Sequence, residues 1–112
     1  MEPKIILRVA GYFVIFWMMQ AVAQVLLKWG STSESRWWLG FLVGNLFGFS
    51  STLLLMLLYK DLNPNVALGF ATGGSFLASQ IAIGIFFNTK LALAQYFGVV
   101  VITIGLLAFL IG

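Results

Sequence analysis

The chain has 112 residues, 62% of them apolar and 8% charged, and a mean hydropathy of +1.06. It therefore departs from soluble domains, in which about one residue in four is charged. The lack of His and Cys excludes imidazole and thiolate metal sites and all thiol chemistry. Its three acids, Glu2, Glu34 and Asp61, lie at or beyond the ends of the apolar stretches, which argues against a paired-carboxylate centre inside a membrane. Six scattered cations and a pI of about 9.6 make no basic patch, so neither nucleic acid nor a metal or other cofactor is expected, and an enzyme is the reading least favoured.

A bilayer needs about 20 apolar residues per helical span. The apolar stretches between charges predict an all-α membrane protein of one domain, residues 1–112, with transmembrane helices at Ile5–Trp29, Trp37–Tyr59, Asn65–Phe87 and Leu91–Ile111 joined by short loops. The N-terminal stretch also has the layout of a secretory signal peptide, with Lys4 and Arg8 ahead of an apolar run and Ala21 and Ala23 in an A-x-A pattern. Its run is long enough to span, however, and continues through Gln24, Val25, Leu26 and Leu27 before any turn signal, which favours a retained helix.

The first span carries Gln20, Gln24 and Lys28 at spacing four, which places them on one helical face with about 40° of drift per step. An amide in hydrocarbon without a partner costs several kcal/mol, so Gln20 and Gln24 are expected to face the bundle interior. There they would bond other helices, water or a substrate. Lys28, in the last turn, can snorkel to the headgroup level and meet an anionic lipid or a substrate phosphate. In the second span Gly40, Gly44 and Gly48 form a tandem G-x-x-x-G ridge, predicted to pack a helix of the same subunit. The third span holds Thr72, Gly73, Gly74 and Ser75 near its middle, and adjacent glycines with a Ser predict a kink at Gly73 and Gly74. Thr72, Ser75 and Ser79 share one face, where they serve either a polar substrate cavity or interhelical hydrogen bonding. In the fourth span Gly98, Gly105 and Gly112 repeat every seven residues and are expected to form a dimer seam.

Orientation follows the placement of Lys and Arg. Four spans put Lys4, Arg8 and Lys60 on one side and Lys28, Arg36 and Lys90 on the other, a balance that predicts insertion both ways. Two inverted copies would then meet about a two-fold axis in the membrane plane, as an antiparallel dual-topology dimer. The rival expectation is a single orientation chosen by loop details.

Four short spans, balanced charges, a glycine-broken third helix and a glycine heptad in the fourth resemble the small multidrug resistance family of the drug/metabolite transporter superfamily. The resemblance implies an inverted dimer and a first-helix Glu eight residues before a Lys and a glycine turn; here Lys28 and Gly30 match, and Gln20 stands at the Glu position. It also implies a Tyr and a Trp at positions occupied here by Leu68 and Ala71. The Gln24 and Lys28 pair is similar to a second branch of the superfamily, the small subunits resembling flippases for undecaprenyl-phosphate-linked aminoarabinose. That likeness implies a bacterial inner-membrane homodimer, or a heterodimer with a related subunit, that moves an amphipathic or lipid-linked solute without a carboxylate proton switch. The alternatives are a proton-coupled exporter of cationic or guanidinium compounds and a non-transporting membrane subunit.

Overall fold

The computed structural model describes residues 2–111 and contains four helices, α1 (Pro3–Ser31), α2 (Glu34–Asp61), α3 (Pro64–Phe87) and α4 (Leu93–Ile111). The first three are each long and apolar enough to cross a bilayer; α4 is apolar and shortest, at 19 residues. Large apolar side chains such as Leu46, Phe49, Leu53 and Ile85 lie exposed on the outside. An apolar exterior around long apolar helices is the construction of an integral membrane protein.

The helices run past the predicted spans at several ends because hydropathy measures the hydrocarbon crossing, whereas a helix continues into the headgroup region through charged residues. Thus α1 includes Pro3, Lys4, Gly30 and Ser31, and α2 includes Glu34, Arg36, Lys60 and Asp61. At 29 residues α1 is about 43 Å long, against about 30 Å of hydrocarbon. The fourth helix is shorter than expected, since Leu91 lies in the loop before it.

Local chemistry fixes these ends. Pro3 and Pro64 occupy first-turn positions where no amide proton is needed. The Asn63 side chain accepts from the Asn65 amide at 2.9 Å. At the other end of α3, Asn88 takes the left-handed conformation, φ 53°, that ends many helices. The Gln95 side chain reaches back to accept from the Ala92 amide at 2.7 Å, half of a capping box. Together Asn88 and Gln95 set the start of α4 at Leu93.

The molecule is a slab, 48 × 33 × 19 Å, about two helix diameters thick. At its centre α1 packs against both α2 and α3; α2 and α3 touch slightly, and among the described residues α4 touches only α3. The core gathers Val9, Phe13 and Phe16 of α1, Leu58 of α2, and Ala67 and Ala71 of α3. All come from the end of the bundle where α1 begins and α2 finishes. At that end Arg8 and Asp61 form a partly exposed ion pair of 2.9 Å that ties the start of α1 to the end of α2.

The glycine ridge of α2 lies against α1, within the chain. A methyl built on Gly40 would stand 2.6 Å from the Gly30 Cα and 2.7 Å from the Leu26 carbonyl oxygen, and one on Gly44 would press on Leu27. At Gly48 the nearest atom, the Ala23 Cβ, is 3.9 Å away. Gly40→Ala is therefore expected to destabilise the helix pair by about 2 kcal/mol through overpacking. Gly48→Ala should be neutral or slightly stabilising, because Ala is the better helix former. Unfolding of each variant in mixed micelles, followed by circular dichroism, measures the difference.

Candidate functional site: a polar cleft between α1 and α3

Beyond this core a cavity of about 300 Å³ opens between α1 and α3. Gln20 and Gln24 line it from α1, and Thr72, Ser75, Ser79 and Gln80 from α3, with Phe76 and Ile83 completing the wall. Five of the six residues singled out in the sequence thus come together. Lys28 does not line the cleft; it stands exposed in the last turn of α1. Two steps of 40° turn it about 80° from Gln20, enough to carry it off the cleft face. Gln80 is the residue sequence reasoning missed. The signal was the one that marked Gln20, an amide in an apolar span, but Gln80 sits at the border of the hydroxyl face rather than on it.

Each polar group has a defined capacity. The Gln20 amide nitrogen donates to the Ser51 hydroxyl at 2.7 Å, and that hydroxyl, fully buried, donates to the Gly48 carbonyl at 2.6 Å. This relay ties α1 to α2, and the Gln20 carbonyl oxygen takes part in no hydrogen bond among the described residues. The Thr72 hydroxyl donates to the Leu68 carbonyl at 2.7 Å and Ser75 to the Thr72 carbonyl at 2.9 Å. Their protons are thereby engaged on α3, so they present acceptor lone pairs. Among the described residues, Gln24, Ser79 and Gln80 form no side-chain hydrogen bonds, so their donors and acceptors remain free for a ligand or water. Among those residues, too, no charged side chain lines the cleft. The arrangement can hold a neutral hydrogen-bonding group such as a hydroxyl-rich or amide-bearing head, and offers no fixed charge to a cation.

The positions that the family resemblance assigns to aromatic walls lie elsewhere. Ala71 is fully buried in the core, and Leu68 is exposed outside the cleft lining.

The paired glycines of α3 have a packing role. The helix is continuously α-helical through Gly73 and Gly74. The Trp17 indole of α1 fills the space a Gly74 side chain would need, and the Leu106 side chain of α4 fills that of Gly73. Trp17 Nε1 donates to the Phe70 carbonyl at 2.9 Å. Phe13 stacks on Trp17 with ring centroids 5.6 Å apart, so the indole is held from two sides.

A methyl added at Gly98 or Gly105 would meet nothing within 4 Å, so neither glycine is a close contact point within the chain, although Gly98 lines a small cavity with Phe76 and Gln80 of α3. Gly112 lies outside the described residues.

The site and fold define an all-helical protein of membrane type with a neutral polar cleft. No protein-family model, curated protein or solved structure matches the chain.

Proposed function

We propose that the chain is a small membrane transporter that moves an amphipathic or lipid-linked solute across or between leaflets without a first-helix carboxylate switch. The observation that carries this reading is the convergence of Gln20, Gln24, Thr72, Ser75, Ser79 and Gln80 on one uncharged cleft within an apolar bundle. Hydrogen-bonding groups grouped around a cavity at membrane depth are the usual setting of a substrate path. The resemblance to the flippase-like small subunits agrees with this, since Gln20 replaces the carboxylate through which the exporter branch exchanges protons for cations. In this reading the protein works in the bacterial inner membrane as a dimer, with itself or with a related subunit.

The test uses liposomes containing the full chain and a fluorescent, uncharged glycolipid. Dithionite bleaches only the outer leaflet, so the bleached fraction should rise from near half to near all when the protein is present. An unchanged fraction would remove the reading.

The balance of Lys and Arg supports insertion in both orientations. Because the chain has no Cys of its own, a single Cys appended at the C-terminus reports its side unambiguously. About half of the molecules should react with an impermeant maleimide on intact cells, and two Lys added to one loop should shift that share. Complete labelling or complete protection would show one orientation.

A further inference from the structure

Helices α3 and α4 meet where Phe109 covers Gly69 and Leu106 covers Gly73. Toward the loop between them a second cavity opens, of about 450 Å³, reaching from Leu77 to Thr89 on the α3 side. Its helical part, from Leu77 to Ile85, is about 12 Å long, most of one leaflet of a hydrocarbon core about 30 Å thick. Its walls are mainly apolar, with Ile81, Ile85, Leu91 and Val99 among them. Gln80 lines both this groove and the polar cleft. At 100° per residue, the cleft residues Thr72, Ser75 and Ser79 and the groove residues Leu77, Ile81 and Gly84 occupy adjoining sectors of α3, with Gln80 at their boundary.

We propose that the α3–α4 groove holds the alkyl chain of an uncharged amphiphile whose polar head occupies the α1–α3 cleft, with Gln80 bonding the head at the junction. This rests on the cleft being the solute site, and it adds the class of ligand. The neutral cleft suits hydroxyl or amide groups, and the groove suits methylenes, whose transfer is non-directional and needs only apolar walls. Its volume falls within the roughly 300–1,000 Å³ of small-molecule sites. Continuity through one amide side chain gives a ligand with both characters a single place to lie.

The probe is dodecyl glucoside carrying a diazirine in its tail, added to liposomes containing the full chain, with labelled residues mapped by mass spectrometry. Leu77, Leu91 and Val99, the partly buried residues of the groove, should be labelled about fivefold above Leu46, Phe49 and Leu53 of α2, and unlabelled dodecyl glucoside should compete where dodecane does not. Gly84→Leu tests the groove directly. A Cβ at Gly84 meets only the Thr89 carbonyl oxygen, at 3.7 Å, so the side chain fits and fills the groove. It should reduce labelling about tenfold with helicity unchanged. Gln80→Leu should erase the advantage of the glucoside over dodecane. Labelling spread evenly over all four helices, or undiminished in Gly84→Leu, would overturn the proposal. Groove labelling without solute translocation would keep this assignment and remove the transport reading; translocation with an unlabelled groove would do the reverse.

Discussion

Solute binding to the reconstituted protein is expected to release no protons between roughly pH 6 and 9, because the cleft is lined by amides and hydroxyls that do not titrate there. Gln20→Glu should create one titrating group per chain. The effect on stability has a definite sign. A protonated carboxyl can replace the amide as donor to the Ser51 hydroxyl, whereas an ionised one cannot donate, and Ser51 already donates to the Gly48 carbonyl. The variant should therefore be close to the parent where the carboxyl is protonated. It should lose about 1–3 kcal/mol as pH rises through its titration, the cost of an unsatisfied buried partner. Calorimetric proton counting in buffers of different ionisation enthalpy, with unfolding followed across the same range, measures both effects. Stoichiometric proton release by the unsubstituted chain would restore the exporter reading.

The second large effect is expected at Gly74. The Trp17 indole lies where any side chain at that position would project, and its N–H is bonded to the Phe70 carbonyl one turn earlier. Gly74→Leu should expel the ring, break the 2.9 Å bond and open the α1–α3 contact. The combined loss is about 3 kcal/mol or more, from overpacking and the lost bond together. Trp17→Phe keeps most of the stack on Phe13 and removes only the donor, so its cost should be about 1 kcal/mol. Reversible unfolding in mixed micelles distinguishes the two. An equal, small effect from both would show that the indole is not seated by the glycine.

These two sites also mark where local sequence was informative. The Gln20 and Gln24 stripe was legible because an amide within an apolar span is costly unless partnered, and the hydroxyls of Thr72, Ser75 and Ser79 were legible from helical period alone. The ridge of Gly40 and Gly44 was legible as a contact face because two backbones approach closely only through small residues. That Gly73 and Gly74 seat neighbours was not, since a glycine pair looks alike in sequence whether or not a side chain rests on it. Here the neighbours, Leu106 and Trp17, are far away in sequence. Lys28 was placed on the stripe by spacing, but accumulated twist and its position in the last turn keep it outside the cleft. The helix ends were blurred because charged residues can remain helical after leaving the hydrocarbon, and the start of α4 depends on the side chain of Gln95 reaching back to Ala92.

The order of contacts along the chain has a consequence for biosynthesis. The first two helices are joined by only Thr32 and Ser33, and their backbones meet beside that turn, at Gly30 and Gly40. Neighbours so near in sequence can close as a helical hairpin while the rest of the chain is still emerging from the ribosome. The third helix then docks on a surface already formed, delivering Gly74 to Trp17. The fourth helix, synthesised after the other three, finds contact with α3 alone among the described residues. A nascent chain that halts before α4 would still bring together the Phe13, Leu58 and Ala71 core and the cleft, but would leave the face of α3 at Gly69 and Gly73 without the cover of Phe109 and Leu106.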